Sequence, residues 1–301
     1  MGNLPEKSMD LSTRVILTLL RSIHFRDRIA REFQDPSRTG KAYQTRRYPR
    51  RLHPYYRELN GCQLLTLRPK GAERKHLIYL PGGAYVLEAT PYHSRLVCKL
   101  AEQLGCAVTL LGYPLAPENH FQITFHRTLA AYQEIIRDEP ACEIHLMGDS
   151  AGGGLALALL QGLLSQNIQP RPKKTVLISP WLDLGLQNPD IAKVAPDDPI
   201  LSLEGLRFAA QTYAAGEALS DPRLSPLYGD LSGLGCVLIT YATREVFYPD
   251  CQLLVKKLAI SEGSEVVNLI GKDLFHAWPI FPLPASRNAL LKITDFLITK
   301  R

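Results

Sequence analysis

The residues with the clearest chemical potential are Gly148-Asp149-Ser150-Ala151-Gly152, a G-x-S-x-G pentapeptide. It follows a short apolar run (Ile144, Leu146, Met147) and leads into an Ala- and Leu-rich stretch ending near Leu164. A strand that turns sharply into a helix forces its central residue into a strained backbone conformation. Only small residues two positions either side let the chain pass, hence Gly148 and Gly152. The hydroxyl of Ser150 then stands clear at the top of a sheet, above a helix N-terminus that favours developing negative charge. Serine is a poor nucleophile until a base takes its proton, and histidine is the side chain tuned near neutral pH for that work. His276 lies in Gly271-Lys272-Asp273-Leu274-Phe275-His276, beyond the last strand candidate, and Glu245 lies just past the strand candidate before it. The order Ser150, Glu245, His276 reads as nucleophile, acid and base, with the acid holding the imidazole tautomer. Asp250 and Asp273 are the rival acids.

A hydroxyl attacking a carbonyl needs donors for the oxyanion that forms. Pro81-Gly82-Gly83-Ala84-Tyr85 follows another strand candidate, and its glycines let backbone N–H groups approach closely. Gly82, Gly83 and the N–H of Ala151 are the expected oxyanion donors. Tyr85 is expected to face the cleft and Trp181 to border the acyl pocket. His145, inside a strand, reads as a packing residue, and nothing marks His93, His120 or His126 as a base.

These groups sit at the ends of a regular alternation of strands and helices. Strands are predicted at 62–67, 76–80, 107–111, 143–147, 175–179, 236–240 and 266–270, and helices at 91–104, 124–138, 151–164, 248–260 and 285–299. Near-continuous apolar strands separated by helices make a mostly parallel sheet covered on both faces, and such sheets bind ligands beyond the carboxyl ends of their strands. Two pieces fall outside the alternation. Residues 10–33 read as amphipathic helices, with Leu11, Val15, Leu19 and Ile23 at helical spacing. A Pro- and Asp-rich insertion at about 184–222 turns helical from about Leu203 to Tyr213. Both are candidates for a cap, which divides the chain into an N-terminal cap segment (1–50) and a catalytic domain (51–301).

With 301 residues, 46% hydrophobic and 21% charged, the chain has ample material for a large core. Its net charge of +6 is partly local, in Arg46, Arg47, Arg50 and Arg51, and no nucleic-acid module accompanies it. The six cysteines contain no C-x-x-C pair and no metal-ligand spacing, which points to a cytoplasmic location rather than a disulfide framework. The apolar patch Val15–Leu20 is too short to span a membrane, so no stable membrane insertion is expected.

The ordered blocks resemble the hormone-sensitive-lipase-like branch of the α/β-hydrolase fold, the bacterial esterase and lipase group. Pro81-Gly82-Gly83-Ala84-Tyr85 stands where that family has His-Gly-Gly-Gly and an aromatic. Tyr113-Pro114-Leu115-Ala116-Pro117-Glu118 resembles its Tyr-Arg-Leu-Ala-Pro-Glu block, and Gly148-Asp149-Ser150-Ala151-Gly152-Gly153 is its nucleophile motif. Ser179-Pro180-Trp181-Leu182-Asp183 and the segment DPRLSP beginning at Asp221 resemble later signatures. The resemblance implies an eight-stranded sheet with a helical cap. It further implies a carboxylic-ester hydrolase without a cofactor or metal, acting on small-molecule esters with Ser150, Glu245 and His276. A homo-oligomer is left open. A deacetylase of acetylated sugars, an amidase of the same mechanism, or a non-catalytic ligand-binding relative are the alternatives. Pro81 in place of the family histidine removes the imidazole that braces the oxyanion loop, so the bracing must come from elsewhere.

Overall fold

The computed structural model describes residues 11–35 and 47–299. Arg46 of the basic cluster lies outside them, and Arg51 of the same cluster is paired with Glu102. Eight strands form one sheet in the order β1-β2-β4-β3-β5-β6-β7-β8. They are β1 (Tyr55–Leu59), β2 (Cys62–Leu67), β3 (Glu73–Leu80), β4 (Cys106–Gly112), β5 (Glu143–Asp149), β6 (Lys174–Ile178), β7 (Gly235–Arg244) and β8 (Ser264–Phe275). The run from β4 to β8 is parallel; β1 and β2 join antiparallel at one edge. The chain therefore has the mostly parallel sheet that the alternation implied, in the eight-stranded α/β-hydrolase architecture that the resemblance implied. β1 has no counterpart in the predicted strands, although its cue is present. Asn60-Gly61 closes a two-residue loop between Leu59 and Cys62, both at positive φ (51° and 76°), as a tight hairpin of this type requires.

Helices α3 (Pro91–Leu104), α4 (Phe121–Asp138), α5 (Ser150–Ser165), α8 (Tyr248–Leu258) and α9 (Pro284–Ile298) cover the sheet. On α3, Leu96, Val97, Leu100, Ala101 and Leu104 form one buried apolar stripe. Helix α5 is apolar almost all round and buried from Ser150 to Leu160, as a helix at the centre of a layered domain must be.

The remaining helices are α1 (Leu11–Ser22), α2 (Phe25–Gln34), α6 (Ile191–Val194) and α7 (Leu203–Ala214). Helix α2 packs on α7 so closely that a Cβ on Gly205 would stand 3.0 Å from Ala30. Helix α2 and the insertion's α7 thus form one helical layer. Leu11, Val15, Leu19 and Ile23, the apolar row picked out by spacing, are exposed. Helix α1 instead buries Thr13 and Leu17 and packs Ile16 and Leu20 inward. Spacing identifies an apolar row, but the position of α2 decides which row is covered. No described helix is long and apolar enough to cross a membrane.

Candidate active site

Strand β5 runs straight into α5, and Ser150 at the junction takes φ 52°, in the left-handed region that costs non-glycine residues energy. The flanking glycines are needed for space. A Cβ on Gly148 would lie 2.3 Å from the Gly152 carbonyl oxygen, and one on Gly152 would lie 2.2 Å from that of Leu80 at the end of β3. Both clashes are with backbone, which cannot swing aside. Gly152→Ala is therefore expected to destabilise the fold by about 3 kcal/mol through overpacking, measured as a shift in the urea midpoint. An unchanged midpoint would mean that β3 and α5 can separate at no cost.

Two and three strands away, Glu245 follows β7 and His276 follows β8. Glu245 is fully buried: one carboxylate oxygen accepts the Ala242 N–H at 3.1 Å and the other lies 3.1 Å from His276 Nδ1. The second contact keeps the imidazole proton on Nδ1 and leaves Nε2 bare, the tautomer a base requires. The ring edge of Phe247 supports His276 at a centroid separation of 5.2 Å. Ser150 Oγ makes no hydrogen bond among the described residues, and such contacts commonly tighten only when substrate is bound. The rival acids lie elsewhere. Asp250 accepts from Asn188 at 2.9 Å within the first turn of α8, and Asp273 pairs with Arg244 at 2.9 Å.

A carboxylate not singled out in the sequence also stands at this site. Asp198, 2% exposed, accepts the N–H groups of Ile200 and Leu201 on one oxygen and that of Val246 on the other, at 2.8 to 2.9 Å. Burial pushes its carboxyl up to about 6, against the pull of His276 and the three amides. For His276, burial works to lower the pKa. The hydrogen bond and charge of Glu245, with the charges of Asp198 and Asp149, outweigh it and hold the imidazole above its ordinary 6.5. A base must be neutral to accept a proton, so activity is expected to appear as pH rises through a midpoint above 6.5 and to be lost below it. Asp198→Asn removes one of the charges that favour the imidazolium. Its acid limb in a kcat/KM profile is expected to move to lower pH, and a limb that stays put would show that Asp198 acts on the backbone alone. The new amide also faces the Val246 N–H donor-to-donor, which is expected to cost about 1–3 kcal/mol of stability.

The loop after β3 departs from expectation at Gly82 and at Tyr85. Gly82 does not offer its N–H to the cleft, because it donates to Asp149 Oδ1 at 2.9 Å. The next two N–H groups, of Gly83 and Ala84, donate to no acceptor among the described residues. Gly83, Ala84 and Tyr85 all have positive φ (135°, 54° and 64°), an unusual run for a segment in which two of the three residues carry a Cβ. Ala151 contributes an N–H from the first turn of α5, where no helical partner exists. Tyr85 is not an open wall of the cleft: it is 2% exposed and stacked on Tyr213 of α7 at 3.9 Å and 3°. Trp181 is fully buried, stacked on Phe247, with its indole N–H on the Asp183 carbonyl at 2.9 Å. These rings pack beneath the helical layer. His145 is buried in β5, where burial lowers its pKa to about 4 and leaves it neutral. Among the described residues, no three His, Cys, Asp or Glu side chains are grouped to hold a metal ion.

Comparison with known proteins agrees with this fold. The sequence profile described as "alpha/beta hydrolase fold" matches residues 77–280. An acetyl-hydrolase of Streptomyces hygroscopicus is 34% identical over 79% of this chain and 80% of its own length. An esterase of Acinetobacter venetianus is 28% identical over 79% of each. Among solved structures, a hormone-sensitive lipase from a metagenome library superposes with a TM-score of 0.82 at 26% identity. That match covers 96% of this chain and 98% of the other.

Proposed function

Since the chain belongs to the hormone-sensitive-lipase-like branch of the α/β-hydrolase family, we propose that it is a serine carboxylesterase acting on short-chain or small acyl esters. In this reading Ser150 attacks the ester carbonyl while His276 Nε2 takes its proton. Glu245 holds the ring and stabilises the imidazolium. The N–H groups of Gly83, Ala84 and Ala151 receive the oxyanion, with Gly82 removed from the set that the sequence suggested. Collapse expels the alcohol, protonated by His276, and leaves an acyl group on Ser150. His276 then activates a water that releases the acid. The observation that carries the reading is the His276–Glu245 hydrogen bond at the same sheet end as the strained Ser150 turn.

The relative named an acetyl-hydrolase favours the small-acyl end of the range. It also keeps deacetylation of acetylated sugars as a second reading within the same chemistry. Residues 1–50 and the insertion are proposed to act together as the cap, supported by the packing of α2 on α7. A cytoplasmic location belongs to the same proposal, supported by six cysteines of which none is joined in a disulfide. The test is turnover of 4-nitrophenyl acetate, butyrate and octanoate, with a fluorophosphonate probe mapped by peptide mass. Turnover that falls with chain length and labelling confined to Ser150 are expected. A chain that leaves all three esters untouched and escapes the probe is not a serine esterase.

A further inference from the structure

The proline at position 81 raises the question of what steadies the oxyanion loop. Asp149, one residue before the nucleophile and 2% exposed, gathers three donors. The Tyr79 hydroxyl reaches Oδ1 at 2.6 Å, and the Gly82 N–H reaches the same atom at 2.9 Å. His93 Nε2 lies 3.2 Å from Oδ1 and 3.3 Å from Oδ2. The tautomer of His93 follows from its other side. Its Nδ1 accepts the Thr90 N–H at 2.8 Å, so the ring proton sits on Nε2 and is given to Asp149. The same contact closes a capping box at the start of α3, with His93 at the third helical position.

One imidazole thus ties a helix start to the carboxylate that grips Gly82. A Cβ on Gly82 would stand 2.4 Å from Asp149 Oδ2 and 3.0 Å from Ser150 Cβ, so the loop has no slack at this point. The other loop anchors are Tyr113 Oη on the Pro81 carbonyl at 2.7 Å and the Ala116 N–H on the Tyr85 carbonyl at 2.9 Å. Neither touches Asp149, so neither can orient its carboxylate.

We infer that His93 is a positioning residue for the esterase reaction: through Asp149 it sets the loop whose Gly83 and Ala84 amides receive the oxyanion, the task left open by Pro81. The inference rests on the serine-esterase reading. His93 touches no reacting atom, so its effect must appear in transition-state stabilisation and not in ground-state binding.

Three substitutions separate bracing from capping. His93→Gln offers an acceptor to Thr90 and an N–H to Asp149, and Gln is a regular partner in capping boxes. His93→Glu keeps the acceptor but has no proton to give when ionised. His93→Leu has neither. On 4-nitrophenyl butyrate at pH 8, H93Q is expected within about threefold of wild type in kcat. H93E and H93L are expected to lose about 30-fold in kcat, less than deletion of a whole oxyanion donor, with KM within about threefold. Affinity for a trifluoromethyl ketone, which forms an oxyanion on Ser150, should fall in parallel with kcat. Melting midpoints should rank H93Q above H93L, because only glutamine keeps the cap without setting a second buried carboxylate against Asp149.

If H93L does not fold, the comparison of H93E with H93Q still decides. Equal kcat in those two variants, or a loss carried by KM with ketone affinity unchanged, overturns the bracing role. In that case His93 is a cap only. A wild-type chain without turnover or probe labelling overturns the esterase reading and this inference together, a pattern distinct from an active enzyme indifferent to position 93.

Discussion

Alanine at position 150 is expected to lower kcat by about 10⁶ while leaving the fold intact. The two halves of that expectation have separate causes. Ser150 Oγ holds no structural hydrogen bond among the described residues, and alanine has the same Cβ, so the left-handed φ of 52° costs the variant no more than it costs serine. The melting midpoint should therefore stay close to wild type. The loss of rate comes from removing the atom that forms the acyl bond, and what remains is catalysis by binding and oxyanion donors alone. His276→Ala should fall about as far, and the double variant no further, because the two groups act as a unit. Initial rates on 4-nitrophenyl acetate with active-site titration measure this. More than a few per cent of wild-type activity in Ser150→Ala would place the nucleophile elsewhere.

Glu245→Gln is expected to cost about 10⁴ in kcat, by analogy with the loss seen when an acid of this kind becomes an amide. Glutamine can still accept the Ala242 N–H with its carbonyl oxygen, which turns its NH₂ group toward His276 Nδ1. Two donors then face each other unless the imidazole moves its proton to Nε2. That tautomer presents an N–H to Ser150 and takes no proton from it. The lost negative charge also lowers the His276 pKa, so the acid limb should shift to lower pH as the plateau falls. Fluorophosphonate labelling of Ser150 should slow to a similar degree. A variant within tenfold of wild type would show that a different group orients the base, and Asp198, whose charge acts on His276, is the carboxylate to replace next.

The nucleophile turn was legible because its constraint is local: Gly148 and Gly152 are small where two backbones cross, a requirement carried within five residues. Glu245 and His276 were legible from their place after consecutive strands, since sheet order converts chain order into proximity. That the Gly82 N–H is engaged could not be read, because two adjacent glycines look alike until the acceptor of each N–H is known, and Asp149 claims the first. His93 carried a readable cue in Thr90-Pro91-Tyr92-His93, the spacing of a capping box, but its bond to Asp149 spans 56 residues. Asp198 gave no cue at all. It sits in a Pro- and Asp-rich stretch that reads as solvated loop, and its contact with Val246 depends on how the insertion folds back.

That contact changes how the insertion should be treated in protein engineering. Residues 184–222 look like a module that a chimera could exchange with a relative's to alter which esters are admitted. Yet Asp198 belongs to that module, and through Val246 it anchors the backbone next to the acid that orients His276. Under the proposed mechanism, a transplant that omits a carboxylate at this position would remove a charge that acts on His276 along with the proposed cap. Grafts drawn up by shape alone should therefore yield folded, slow enzymes, and restoring that one aspartate is where their repair would begin.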